Sequence, residues 1–171
     1  MNLRSSAVLI LIDSKNRIIL TKRTKNVRTH KGQISFPGGK YEDIDRELII
    51  TAIRETTEEI GVTQDKITEI KKLNYSYISP RGFIIYPFYA KLKKNSFKKN
   101  SDEVEKIIKI PVAFFKKGIY SKHLYKVNRK KVLLPVYIFG KTRIWGATAN
   151  IIYNFIRKKL NRKEFYNINN R

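Results

Sequence analysis

Glu55, Glu58 and Glu59 crowd into one short run, Arg54-Glu55-Thr56-Thr57-Glu58-Glu59-Ile60-Gly61, whose apolar neighbours recur at helical spacing. On a wheel of about 100° per residue with Glu55 at zero, Glu59 falls at about 40°, Glu58 at about 300°, and Arg54 and Glu47 at about 260° and about 280°. Three carboxylates therefore share one narrow face. Ile49, Ala52, Ile53 and Ile60 gather between about 60° and about 160°, the stripe of a helix that faces a core, while Leu48 falls near the acidic side. Like charges three and four residues apart repel, so this face costs stability unless a cation neutralises it. A solvated face closed by an Arg54–Glu58 ion pair satisfies the run by itself. The residues before the helix shift the balance toward chemistry.

Those residues are Phe36-Pro37-Gly38-Gly39, read as a turn ahead of the helix. Missing side chains at Gly38 and Gly39 let a phosphate come close, and the Gly39 carbonyl is available to a metal shell. Carboxylates with such a turn suit a hard divalent ion, Mg²⁺ or Mn²⁺, which takes oxygen ligands and bridges protein carboxylates to phosphate.

The remaining pattern is that of one domain over residues 1–160 with a polar, frayed tail over 161–171. The 171 residues contain no cysteine, which excludes disulfides, thiolate metal sites and a cysteine nucleophile, and suggests a cytoplasmic protein. The apolar run Ala7 to Ile12 is too short to span a bilayer and reads as a strand. Arg17 to Leu20, Ile67 to Ile78, Phe83 to Leu92, Tyr120 to Val127 and Lys131 to Phe139 read as further strands, the last an edge or bulged strand because of Pro135. Helices are expected over about Glu47 to Ile60, with Gly61 as the C-cap, over Pro111 to Phe115 ended by Gly118, and over about Ala147 to Leu160. The last carries Ile151, Ile152, Phe155, Ile156 and Leu160 on one stripe. Strands with single interspersed helices predict an α/β fold, a mixed sheet covered on both sides.

Thirty-seven basic against 14 acidic residues give a net charge of +23. The basic residues are spread along the whole chain, and the abundance of Lys, Ile and Asn matches an AT-rich coding sequence better than a nucleic-acid-binding arm. The charge still favours a phosphorylated substrate.

The run from Gly39 through Val62 resembles the Nudix box, a loop-helix-loop with a glycine, a glutamate, Arg-Glu, Glu-Glu and a final glycine. Gly39, Arg54, Glu55, Glu58, Glu59 and Gly61 occupy those places, with Val62 as the apolar residue that follows. Between Gly39 and Arg54 there is one residue more than the usual box, so the early glutamate, counted back from Arg54, falls on Arg46. The neighbouring Glu47 lies on the right face to pair with Arg54 and is assigned that role. Upstream, Leu20-Thr21-Lys22-Arg23-Thr24, Arg28, Gly32 and Phe36-Pro37-Gly38-Gly39 keep the spacing of the second signature of coenzyme A diphosphatases. The extra box residue is typical of that branch too, and Asp102-Glu103-Val104-Glu105 and Arg143 to Ala149 resemble it as well.

The resemblance implies a Nudix-type α/β/α sandwich and a hydrolase that cuts the diphosphate of coenzyme A or a derivative, giving 3′,5′-ADP and 4′-phosphopantetheine. It implies Glu55 and Glu59 as Mg²⁺ or Mn²⁺ ligands, with Glu58 as a further ligand or water-orienting carboxylate. Arg54 belongs to the catalytic set, and Glu103 is a candidate base or third ligand from a later loop. Arg23 and Arg28, with Gly38 and Gly39, are candidate substrate contacts, because a guanidinium matches phosphate geometry. His30 and His123 receive no chemical role, and Trp145 is read as a core or helix-entry residue. The box leaves open another nucleoside diphosphate derivative as substrate. The charge leaves open a basic RNA-binding protein that keeps the fold without turnover. No membrane partner is expected.

Overall fold

The computed structural model describes residues 3–26, 30–79, 82–93, 96–118, 121–127 and 130–168, with side chains described only through 158 within the last helix. The chain forms two compact units, Met1–Val112 and Ala113–Arg171.

In the first unit, β1 (Arg4–Ile12) turns through Asp13 into β2 (Arg17–Arg23). The Asp13 carboxylate accepts the Lys15 and Arg17 amides at 3.0 and 2.9 Å and pairs with the Arg17 side chain at 2.7 Å, which fixes the turn. Beyond this turn, β3 (Ile34–Ser35) pairs with β2, and β4 (Gly38–Lys40) pairs antiparallel with β1, setting Gly39 opposite Ala7. The Phe36–Gly39 stretch is thus the entry to a strand, where a turn before the helix was expected. A 3₁₀ turn over Asp43–Asp45 intervenes before α1 (Leu48–Ile60).

β7 (Phe83–Leu92) runs parallel to β1 from Arg4↔Phe83 to Ile12↔Lys91, a pairing that requires a long crossover, and α1 lies within it. The expected single strand Ile67 to Ile78 is two, β5 (Ile67–Lys72) and β6 (Tyr77–Ile78), both antiparallel to β7. The β5–β7 register shifts between Thr68 and Lys71, where Glu69 has φ 51°. β8 (Val104–Pro111) closes against β2, so β1 to β8 make one mixed sheet. From Ala7 to Ile12 β1 is apolar and, Val8 apart, buried, as a strand covered on both faces should be.

Ala52, Ile53 and Ile60 of α1 join Ala7, Leu9, Leu11, Ile19, Val62, Phe88, Ala90 and Leu92 in the core. Leu48 packs against that cluster with Ile49, although the wheel put it near the acidic side. The helix ends as its sequence predicts, with Gly61 left-handed at φ 68° and its N–H on the Thr57 carbonyl at 2.9 Å. Two further last-turn carbonyls accept amides from the basic loop beyond β7: Ile60 from Lys98 at 3.0 Å and Glu59 from Asn100 at 2.9 Å.

α2 (Val112–Lys116) straddles the boundary between the units. The second unit carries β9 (Ser121–Val127), β10 (Lys130–Phe139) and β11 (Thr142–Ile144), an antiparallel sheet in the order β11-β10-β9, and α3 (Gly146–Ile168). Pro135 faces Lys122 of β9, while β11 pairs only from Tyr137 onward, which is the one-sided position a strand proline needs. Ala149, Ile151, Ile152, Phe155 and Ile156 are buried on α3, and Phe115 stacks edge-on to Tyr137 at 5.1 Å. α3 continues to Ile168, past the end expected near Leu160, so the residues read as a frayed tail begin in helix. Trp145 precedes it at 38% exposure, a helix-entry residue rather than a core one. Among the described residues no helix is long and apolar enough to cross a membrane.

Candidate active site

The carboxylates of α1 share an edge of the helix but not an environment. Glu58 is 55% exposed, Glu55 is 16% exposed and Glu59 is 2% exposed at the side chain. The wheel gave the helix one acidic face, whereas the sheet beneath divides it into a solvent edge and a buried edge.

Glu55 rests directly on β4. A Cβ at Gly39 would fall inside the Glu55 carboxylate, so only glycine lets that group lie there. Gly38 is held as tightly for a different reason: its φ is 148°, and a Cβ would collide with the Ala7 carbonyl and the Val8 Cα of β1. Burial pushes the Glu55 carboxyl above the usual range, Arg54 opposes this, and Glu58 adds to it.

Arg54 organises the exposed side. Its Nη1 donates to Glu55 Oε1 and to Glu58 Oε2, each at 3.2 Å, and its Nη2 donates to the Lys40 carbonyl at 3.2 Å. The residue that orients it is Asp45. Nε donates to Asp45 Oδ1 at 2.8 Å and Nη2 to Oδ2 at 3.1 Å, and Asp45 Oδ2 also accepts the Glu42 amide at 3.0 Å and the Thr51 hydroxyl at 2.9 Å. The assignment of this role to Glu47 is therefore corrected: Glu47 is the exposed N-cap of α1. Counting back from Arg54 misplaced the acid because the extra residue lies after it. Counting forward from Gly39 by the usual spacing reaches Asp45. The chain absorbs the insertion at Arg46, which takes a positive φ of 58° between the 3₁₀ turn and α1. Arg54 holds the Asp45 carboxyl down to about 2, and Asp45 in turn raises the guanidinium above its ordinary value.

Glu59 sits in the opposite, buried direction. Its Oε1 accepts Arg23 Nη1 at 3.3 Å, and its Oε2 is buried and makes no close hydrogen bond, although the nearby Thr21 hydroxyl helps to lower the carboxyl. Burial pushes its carboxyl up to about 8, the Arg23 charge lowers it, and the Glu55 and Glu103 charges raise it further. Glu103, from the turn before β8, adds its negative charge to the field at both Glu55 and Glu59 and helps to raise them. β2 and β8 hold this corner together, with the Thr24 amide on the Glu103 carbonyl at 2.9 Å and the Thr24 hydroxyl on the Asp102 carbonyl at 2.8 Å.

Arg23, read from sequence as a phosphate contact, is engaged with Glu59. Arg28 lies outside the described residues. His30 is exposed with its Nδ1 2.8 Å from Gln33 Oε1, and the His123 side chain is not among those described. As the side chains stand, no group of three or more His, Asp or Glu among the described residues is gathered to hold a metal ion, since Glu58 is turned to Arg54 and Glu59 to Arg23.

The NUDIX domain family model matches residues 2–127. The chain belongs to the Nudix hydrolase family. It is similar to a Nudix hydrolase of Photorhabdus laumondii, NudL, at 32% identity over 92% of this chain and 86% of that protein. It is also similar to the human mitochondrial coenzyme A diphosphatase NUDT8, at 31% identity over 86% of this chain and 66% of that one. Among solved structures, the MutT protein of Methanosarcina mazei covers 92% of this chain and 95% of its own, with a TM-score of 0.58 at 16% identity, and shows the shared fold. A Nudix hydrolase of Nitrosomonas europaea matches 65% of this chain and 58% of its own, with a TM-score of 0.53 at 25% identity. The fold is the α/β Nudix fold with a mixed sheet, and this Nudix chain is an enzyme of the hydrolase class.

Proposed function

We propose that the protein hydrolyses the diphosphate of coenzyme A or a close derivative to 3′,5′-ADP and 4′-phosphopantetheine, with Mg²⁺ or Mn²⁺ held by Glu55 and Glu59 and Glu58 as a further carboxylate. The observation that carries the metal reading is Glu59 Oε2, a buried carboxylate oxygen that makes no close hydrogen bond, beside the half-buried carboxylate of Glu55. A divalent cation fits that donor set, because it is all hard oxygen and like-charged, and burial has raised both groups. When bound there, such an ion supplies charge neutralisation and Lewis-acid polarisation of a diphosphate oxygen.

The remaining work falls to this chain's own side chains and backbone. Gly39 makes room for the Glu55 carboxylate on β4, and Gly38 lets β4 pass close against β1, so the two glycines shape the site from beneath rather than opening it to the diphosphate. Arg54 bridges Glu55 and Glu58 through one nitrogen and so positions both, and Glu58, exposed at the rim, orients the attacking water. Glu103 is the candidate base that takes its proton as the water oxygen bonds to phosphorus and the bridging P–O bond breaks. The high positive charge draws in the phosphorylated substrate. Coenzyme A is favoured over other nucleoside diphosphate derivatives by the Leu20 to Gly39 signature and by the similarity to NUDT8.

The test is incubation of purified protein with coenzyme A and Mg²⁺ or Mn²⁺, products resolved by mass spectrometry, beside Glu59→Gln and a panel of nucleoside diphosphate derivatives. 3′,5′-ADP should appear only with metal and intact Glu59. Survival of coenzyme A while another diphosphate is cut would overturn the substrate and leave the metal reading in place.

A further inference from the structure

We propose that Arg23 sets the metal affinity of this site: it is a positioning residue that holds Glu59 through one carboxylate oxygen, leaves the other for a divalent ion, and weakens the binding of that ion by its own charge. The inference rests on the reading of Glu59 as a metal ligand.

The geometry of the pair is its starting point. An arginine and a carboxylate free to satisfy one another form a two-pronged fork, as Arg54 and Asp45 do in this same site. Arg23 and Glu59 make a single contact of 3.3 Å, and each keeps a buried polar atom that makes no close hydrogen bond, Nε on the arginine and Oε2 on the glutamate. The backbone that carries the arginine is held in place. Its own amide donates to the Gln33 carbonyl at 3.0 Å, the next amide donates to Glu103 at 2.9 Å, and the β2–β8 register shifts between Lys22 and Arg23, the kind of irregularity that re-aims a side chain. Thr21, two residues back and fully buried, approaches the same carboxyl but directs its hydroxyl to the Ser35 carbonyl and hydroxyl at 3.5 and 3.3 Å. The strand thus delivers Arg23 to one oxygen of Glu59, and the other oxygen is left to another cation.

The sign of the effect follows from charge. Removing one positive charge from beside Glu59 increases its attraction for every cation, and a divalent ion gains about twice what a proton gains. Metal binding therefore tightens whether or not a proton must be displaced.

The experiment is Mn²⁺ titration of metal-free protein, following free Mn²⁺ by electron paramagnetic resonance, for wild type, Arg23→Gln, Arg23→Lys and Glu59→Gln, with folding checked by circular dichroism. Arg23→Gln should bind Mn²⁺ about tenfold more tightly than wild type. Arg23→Lys, which keeps the charge, should stay close to wild type, and Glu59→Gln should bind far more weakly. Arg23→Met supplies the uncharged measurement should the Gln variant not fold. Mn²⁺ affinity unchanged or weakened in the uncharged variants, with Glu59→Gln impaired, overturns the role of Arg23 alone. Glu59→Gln binding Mn²⁺ like wild type overturns the metal ligand assignment and this inference together.

Discussion

Asp45 and Arg54 face one another in a fork, with Nε 2.8 Å from Oδ1 and Nη2 3.1 Å from Oδ2, and the Asp45 side chain is 1% exposed. Removing one partner of a buried ion pair leaves the other uncompensated. Asp45→Ala should therefore lower unfolding stability by about 3 kcal/mol, and it should also depress turnover by releasing Arg54 from between Glu55 and Glu58. Glu47→Ala, at an exposed cap with no side-chain cap bond, should change stability by less than about 0.5 kcal/mol. Urea unfolding of the two variants separates the roles, and equal losses would return the orienting function to Glu47.

The same pair defines an acid window. Arg54 lowers the Asp45 pKa from 3.8 to about 2. A carboxyl depressed on folding contributes stability that is complete above its unfolded pKa and is lost as pH falls through the folded one. Wild type should lose this contribution between about pH 4 and pH 2. Asp45→Asn should show a shallower fall in melting temperature over that interval, and parallel acid curves for the two proteins would rule the linkage out.

Adjacent glycines of β4 separate catalysis from folding. The nearest atoms a Cβ at Gly39 would meet are the end of the Glu55 side chain, which can move aside, whereas a Cβ at Gly38 meets the backbone of β1. Gly39→Ala should keep its melting temperature within a few degrees and lose turnover by about a hundredfold or more, because Glu55 is displaced. Gly38→Ala should cost about 3 kcal/mol, combining a backbone clash with a φ that side chains rarely adopt. A calorimetric scan and a rate measurement on each variant are sufficient, and a Gly39→Ala protein with full activity would remove Glu55 from the site.

What was legible in the sequence was local. The period of Ile49, Ala52, Ile53 and Ile60 placed α1, Gly61 ended it, and the Arg54 to Glu59 spacing brought the carboxylates to one edge. The rest depended on partners far along the chain. The burial of Glu59 needs β2, and Arg23 lies 36 residues before it, a pairing no helical wheel can express. Asp45 was visible only by counting forward from Gly39, because Arg46 takes up the extra residue at a positive φ that non-glycine residues rarely adopt. The split of Ile67 to Ile78 into two strands likewise turns on the register with β7, not on the apolar pattern.

Glu59 supplies the opposite pH dependence to Asp45. Its carboxyl is raised from 4.5 to about 8, chiefly by burial, so in metal-free protein the folded state holds a proton that the unfolded chain has released. A carboxyl raised on folding favours the native state below its unfolded pKa, and that advantage is lost as pH climbs to the folded one. Stability should therefore fall from about pH 5 to about pH 8 and level off beyond. Glu59→Gln, which cannot ionise, should flatten this slope, and saturating Mn²⁺ should flatten it in wild type by stabilising the ionised form. Chemical denaturation of metal-free protein at half-unit steps across this range reads the effect directly. A slope that persists unchanged in Glu59→Gln would assign it to another group and show that the buried oxygen of Glu59 is already ionised at neutral pH.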